Sequence, residues 1–178
     1  MDKTHIIQWN CRGLAHNLNE LKLVIQKYHP VCIALQETHL KVRHKFNMKG
    51  FTLLRKDFYS PERACGGVAL VIRKGTPYKR IAINSSYQVL AIKLEICGGF
   101  TLCNIYLPNT NYNTEEIGRI INQLPIPFVL AGDFNSHNII WGSSSNDARG
   151  TDLLDLIENK SLSILNDGSA THFDAKSG

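Results

Sequence analysis

The chain has 178 residues, 43% of them hydrophobic, and no apolar run long enough to cross a bilayer. It reads as one globular domain spanning 1–178, large enough to bury a core and without membrane association. Its net charge of +5 is unevenly placed: residues 41–80 carry eleven of the 20 Lys and Arg against two acids, Asp57 and Glu62, so that stretch is +9 and the remainder −4.

Such concentration fits a surface that meets a polyanion, or a set of solvated strand ends; charge alone leaves both open. The start, Met1-Asp2-Lys3-Thr4-His5, lacks a charged-then-hydrophobic leader, which predicts an intracellular protein, nuclear or cytoplasmic. Five cysteines (Cys11, Cys32, Cys65, Cys97, Cys103) form an odd set with no C-x-x-C pair, and are expected to be reduced thiols, mostly buried.

In chain order, "THIIQW" (Thr4 to Trp9) predicts a strand that ends on Asn10. An Asn17-x-x-Glu20 start and a stripe of Leu18, Leu21, Val24, Ile25 and Tyr28 predict a helix stopped at His29-Pro30. "VCIALQE" (Val31 to Glu37) is a buried strand, so the first 37 residues suggest a parallel crossover unit. "GFTLLRK", "GGVALVIRK", "YQVLAIKLEI" and "GFTLCNIYLPN" are strand-like runs separated by turn residues, expected to pair largely antiparallel. Asn113-x-x-Glu116 opens a second helix with Ile117, Ile120, Ile121 and Leu124 inward, ended by Pro125. Then come strand "PFVLAGDFN", a helix from about Thr151 to Lys160, and a strand "LSILND". The economical fold class is α/β with mixed parallel and antiparallel strands.

Several strands end on polar groups: "WN", "QET", "NIYLPN", "GDFN". Such ends converge on one rim if the strands are neighbours, which is where α/β folds place ligands. Glu37 suits a hard divalent cation, because Mg²⁺ takes carboxylate oxygen and keeps waters. Asp133 and Asn135, at i and i+2, share a face if the backbone is extended, and Gly132 lets the chain turn closely beneath them. A carboxylate there can orient water, and a neutral amide can bond a phosphate oxygen without repelling it. His137 donates to phosphate or caps the turn. Each residue also has a plain structural role: Glu37 as a solvated strand end, "GDFN" as a turn, Asn10 as a cap, Tyr106 as a core-edge aromatic. Their joint occurrence at strand ends favours chemistry.

Together, "IIQWNCRGL", "IALQETHL", "NIYLPNT", "VLAGDFNSHNIIWGS" and "LSILNDGSATHF" resemble, in order and spacing, the endonuclease/exonuclease/phosphatase superfamily. More closely they resemble the apurinic-type endonuclease domain of non-LTR retrotransposon polyproteins, the jockey-like and R1-like elements. The resemblance implies a DNase I-like four-layer α/β sandwich, two mixed sheets face to face with helices outside, and metal-dependent nicking of DNA with Mg²⁺, or alternatively Mn²⁺. It assigns Asn10 and Glu37 to the metal, Tyr106 to the phosphate, and Asp133 and Asn135 to the water. His137 matches a histidine that follows this motif in retrotransposon members. Asn166 and Thr171 match a segment leading to a DNA-reaching hairpin.

Arg12, Lys41, Arg43, Arg73 and Lys74 are expected on the DNA backbone. The partner expected is DNA, with element RNA met only through a full polyprotein, and the chain acting as a monomer. Family members continue past "THF" to a Ser-Asp-His motif that this chain does not carry, so it reads as a domain lacking its last strands. The alternatives are a catalytically incomplete remnant that binds nucleic acid, a phosphomonoesterase of the same superfamily, and an abasic-site repair nuclease.

Overall fold

The computed structural model describes residues 4–58, 65–110 and 112–171. Arg63 and Glu62 of the basic stretch, and residues from 172 onward, lie outside the described residues. The chain divides into two compact units, Met1–Pro108 with Arg119–Phe134, and Asn109–Gly118 with Asn135–Gly178.

The first unit contains two four-stranded mixed sheets. One has β1 (Ile6–Asn10), β2 (Cys32–Gln36), β3 (Phe51–Lys56) and β4 (Val68–Arg73) in the order β1-β2-β4-β3. The other has β5 (Tyr78–Ile81), β6 (Gln88–Leu94), β7 (Phe100–Tyr106) and β8 (Phe128–Asp133) in sequence order. β1 and β2 pair in parallel across α1 (Leu18–Tyr28), and β7 and β8 pair in parallel across α2 (Thr114–Asn122). Every other ladder is antiparallel, as the run of middle strands led us to expect.

Period-2 alternation sends the side chains of β2 and β4 to two cores. Ile33, Leu35, Ala69 and Val71 pack with Leu21 of α1 and with Cys11, Leu14 and Leu40. Cys32, Ala34, Leu70 and Ile72 face Ile92, Leu94 and Leu102 of the other sheet. The two sheets thus pack face to face around an apolar interior, and the architecture is the α/β sandwich implied by the resemblance.

Three local expectations need correction. Asn17 does not cap α1 with its side chain; its Nδ2 donates instead to the Cys11 carbonyl at 2.6 Å. β5 went unread because its four residues, Tyr78-Lys79-Arg80-Ile81, include two exposed cations and follow Pro77. "LSILND" is not a strand: Leu162 and Ile164 are half-buried in alternation, but no ladder pairs them, and Leu165 is 77% exposed. Alternation without a hydrogen-bonding neighbour does not make a strand.

The second unit carries α3 (Ala148–Asn159) and a short 3-10 turn, Ile139–Trp141. Asp147 caps α3, accepting from the Gly150 N–H at 2.6 Å. Asn113, which precedes α2, accepts from the N–H groups of Glu115 and Glu116 at 2.8 and 3.3 Å, as its position in the sequence predicted. No helix among the described residues is long and apolar enough to cross a membrane.

Candidate active site

On the inward faces of four strands the residue type changes in step. Ile6, Gln8 and Asn10 follow one another on β1; Cys32, Ala34 and Gln36 on β2; Leu102, Asn104 and Tyr106 on β7; Val129, Ala131 and Asp133 on β8. The strands begin apolar and end polar at the same edge, so Asn10, Tyr106 and Asp133 are the last inward positions of three strands. Glu37 is the first residue beyond β2.

The Asn10 carboxamide organises this edge. Its Nδ2 donates to Glu37 Oε1 at 2.7 Å and to Asp133 Oδ2 at 2.5 Å, while its Oδ1 accepts from the Arg12 N–H at 3.2 Å. Two acceptors on one end and a donor on the other leave a single amide orientation. Both carboxylates therefore converge on one NH₂ group, and their mutual repulsion is moderated by it. Tyr106 registers their field: its hydroxyl is pushed up to about 12 by burial first, then by the charges of Glu37 and Asp133 and a hydrogen bond to Glu37. It remains a neutral donor throughout the neutral range.

The loop carrying Glu37 is held in a costly backbone. Glu37 and His39 have φ of 50° and 52°, and Arg12 has 42°, a left-handed region that non-glycine residues seldom adopt. Gly13 and Leu14 donate to the carbonyls of Glu37 and Thr38, and Thr38 and His39 donate to those of Gly67 and Gly66. Gly67 is required where it stands, because a Cβ there would strike Thr38 Oγ1 and its φ is +88°. His39 Nε2 stands 3.4 Å from Glu37 Oε2. His39, Gly66 and Gly67 were missed by sequence reasoning, since they gain meaning only from the contact between loops.

Gly132 does not make a turn. It lies within β8, where an added Cβ would overlap the Ile105 carbonyl of β7, so its missing side chain permits close strand approach beside Asp133. Asn135 has φ 45°, so the backbone is not extended at that residue as the i/i+2 reading assumed. β8 has already ended, and the chain turns there.

In the second unit, the His137 N–H donates to Asp147 Oδ1 at 3.1 Å, and its imidazole lies on an exposed residue. Burial alone would raise the Asp147 carboxyl, but bonds from the Gly150 and His137 backbones, with the His137 and Arg149 charges, hold it below its ordinary value. Trp141 Nε1 donates to the Ser136 carbonyl at 3.2 Å. Gly142, with φ 90°, lies against the Gly168 and Ser169 carbonyls, which brings the "IIWG" stretch beside the segment carrying Asn166 and Thr171; both of those residues are exposed.

Of the basic residues, Arg12, Arg43 and Lys74 are exposed and Lys41 is half-buried. Arg73 is directed elsewhere: its guanidinium donates twice to the Pro30 carbonyl, at 3.1 and 3.0 Å, and covers the Phe51 ring. Arg55 likewise ties together the carbonyls of His44, Lys41 and Val42 and pairs with Asp57. Part of the basic stretch is therefore structural.

The donor set fits a hard divalent cation. Among the described residues no group of three or more His, Cys, Asp or Glu forms a cage. The two carboxylates at this edge match the needs of Mg²⁺, which takes one or two carboxylates and retains water, while the Asn10 NH₂ turned toward them is a hydrogen-bond donor and not a ligand.

Two mixed sheets packed face to face, with acidic and amide groups where β1, β2, β7 and β8 end, define a DNase I-like α/β sandwich. Within that class, the family model described as "Endonuclease-reverse transcriptase" matches residues 100–178. The chain is 26% identical over 172 residues to the probable RNA-directed DNA polymerase from transposon X-element of Drosophila melanogaster, covering 94% of this chain and 19% of that protein. It is 25% identical over 170 residues to the RNA-directed DNA polymerase from mobile element jockey of Drosophila funebris, covering 93% and 18%. The chain thus spans about a fifth of the length of the curated relatives it matches. Among solved structures, the endonuclease domain of TRAS1, a telomere-specific non-LTR retrotransposon, superposes with a TM-score of 0.76 at 19% identity, over 99% of this chain and 79% of that one. The 3'-5' exonuclease NExo from Neisseria meningitidis superposes with 0.65 at 19% identity, over 96% and 79%.

Proposed function

We propose that this chain is the metal-dependent DNA endonuclease part of a non-LTR retrotransposon polyprotein, nicking target DNA to leave a 3′-hydroxyl that primes reverse transcription. The observation that carries it is the convergence of Glu37 and Asp133 on Asn10 at the polar edge of a sandwich shared with a retrotransposon endonuclease domain. Glu37, with Asn10 beside it, would hold Mg²⁺ or Mn²⁺, which supplies charge neutralisation at the phosphate and at the leaving 3′-oxygen. Asp133 accepts a proton from the attacking water and aims its lone pair at phosphorus. Tyr106, kept protonated, donates to a nonbridging oxygen. Asn135 and His137 enter this reading only through the sequence motif that follows Asp133, as side chains able to donate to phosphate. Lys41, Arg43 and Lys74, with Arg12, hold flanking phosphates irrespective of sequence.

The deciding experiment is nicking of supercoiled plasmid by the 178-residue chain in Mg²⁺, in Mn²⁺ and in EDTA, beside Asp133→Ala. Metal-dependent nicking that disappears in Asp133→Ala supports the reading. Folded protein that retains plasmid in a gel shift and never nicks it would reduce the chain to a DNA-binding piece of its parent.

A further inference from the structure

Below the carboxylates lies a layer of amides that the chemistry does not use. Asn104 of β7 and Gln36 of β2 are fully buried, at 0% exposure each. Asn104 Nδ2 donates to the Leu35 carbonyl at 3.0 Å and to the Ala69 carbonyl at 2.9 Å. Leu35 and Ala69 stand opposite each other in the β2–β4 ladder of the facing sheet. Asn104 Oδ1 accepts from Gln36 Nε2 at 2.6 Å, and Gln36 Oε1 accepts from Gln8 Nε2 of β1 at 2.5 Å. One carboxamide therefore bonds both strands at the centre of the opposite sheet, and through Gln36 it reaches a third.

A buried amide is an expensive choice for packing. Its desolvation is recovered only when every donor and acceptor is matched, and an apolar pair of the same shape would hold the sheets at least as firmly. What the amide adds is direction, since apolar contacts permit sliding and hydrogen bonds do not. The direction matters here because Gln36 immediately precedes Glu37, and Asn104 lies one inward position below Tyr106. The bond between Asn104 and Gln36 links the strand that carries the carboxylate to the strand that carries the phenol.

We propose that Asn104 is a positioning residue of the site, whose buried carboxamide, acting through Gln36 and the Leu35 carbonyl, fixes Glu37 against Tyr106 and Asp133. Its effect on cleavage rests on the nuclease reading above; its effect on the geometry of Asn10 does not. Gln88 of β6 works in the same direction from the same sheet: its Oε1 accepts from the Gly67 N–H, and its amide fills the space beneath Gly66.

The test is the double variant Gln36→Leu/Asn104→Leu, which removes both polar partners together, beside the milder Asn104→Ser, which keeps one hydroxyl. The readouts are the urea midpoint, exchange protection of the Asn10 side-chain NH₂ protons followed by NMR, and single-turnover nicking at saturating plasmid. We expect cooperative unfolding to persist, the Asn10 protons to lose protection, and nicking to slow about a hundredfold with little change in the DNA concentration needed for half-saturation, as for a misplacement near 1 Å. Asn104→Ser should fall between parent and double variant in both site readouts, and it decides the matter alone if the double variant does not fold. Unchanged Asn10 protection in a folded variant would overturn the proposal, whatever the nicking rate. Lost protection in a protein whose parent never nicks would sink the nuclease reading and leave the positioning role standing.

Discussion

Asn10 and Asp133, 123 positions apart in the chain, are joined by a 2.5 Å hydrogen bond from Nδ2 to Oδ2. The same NH₂ group also bonds Glu37, so replacing it with another acceptor sets three carboxylates against one another. Asn10→Asp is expected to lose about 1.5–3 kcal/mol of stability in EDTA, the cost of charge-assisted bonds removed at a part-buried site. Excess Mg²⁺ should restore part of it. Thermal unfolding with and without metal checks this, and a variant indifferent to metal would refute the grouping of these oxygens as a cation site.

Tyr106 supplies a pH prediction with a definite sign. Its folded hydroxyl sits at about 12, above the value near 10 expected for an unfolded tyrosine. The unfolded state therefore loses its proton first, and the contribution is fully present below pH 10 and is lost as pH rises towards 12. Tyr106→Phe should unfold with a shallower alkaline dependence than the parent between those limits. Identical curves would mean that neither burial nor the two carboxylates raises the hydroxyl.

Gly132→Ala brings a methyl group onto the Ile105 carbonyl within a parallel ladder. Forced overpacking of this kind costs about 1–3 kcal/mol, read as a lower urea midpoint. Gly98→Ala, in open space at φ +85°, provides the contrasting case in which only backbone strain is added.

Arg73 and Lys74 are neighbours with opposite expectations. Arg73→Ala leaves the Pro30 carbonyl unbonded and should lower stability by about 1–3 kcal/mol without changing the salt dependence of DNA binding. Lys74→Ala should leave stability unchanged and reduce the slope of log affinity against log salt by about 1. Filter binding across a salt series, together with urea unfolding, separates the two. A reversed pattern would show that the guanidinium is a phosphate contact after all.

The thiols divide by burial. Cys11, Cys32 and Cys103 are buried and pushed up to about 12, whereas Cys97 is exposed. A thiol reagent at neutral pH should label Cys97 in the folded protein and reach those three only on unfolding. Prompt labelling of Cys103 would contradict the packing of β7.

Much of this was legible in the sequence because strand ends are written in residue type. The runs into Asn10, Glu37, Tyr106 and Asp133 each pass from apolar to polar, and their positions at strand ends were correctly read. Gln8 and Asn104 carry the same signal one inward position before Asn10 and Tyr106, and Gln36 carries it level with Asn10, but an isolated amide in an apolar run says nothing of which sheet it faces. The left-handed turn at Asn135 was hidden, because "GDFN" reads equally as extended chain. The division of labour within the basic stretch was hidden too, since charge is visible in a sequence and a carbonyl partner is not.

Among the described residues seven non-glycines hold left-handed backbone, and Arg12, Glu37, His39 and Asn135 are those that stand on the segments following β1, β2 and β8. Glycine would relieve the φ at these positions but remove the side chain, and at Glu37 it would also remove the bond from Asn10 and the contact with His39. Glu37→Gly would therefore exchange a strained backbone that sets a carboxylate at the strand edge for a relaxed one that sets none.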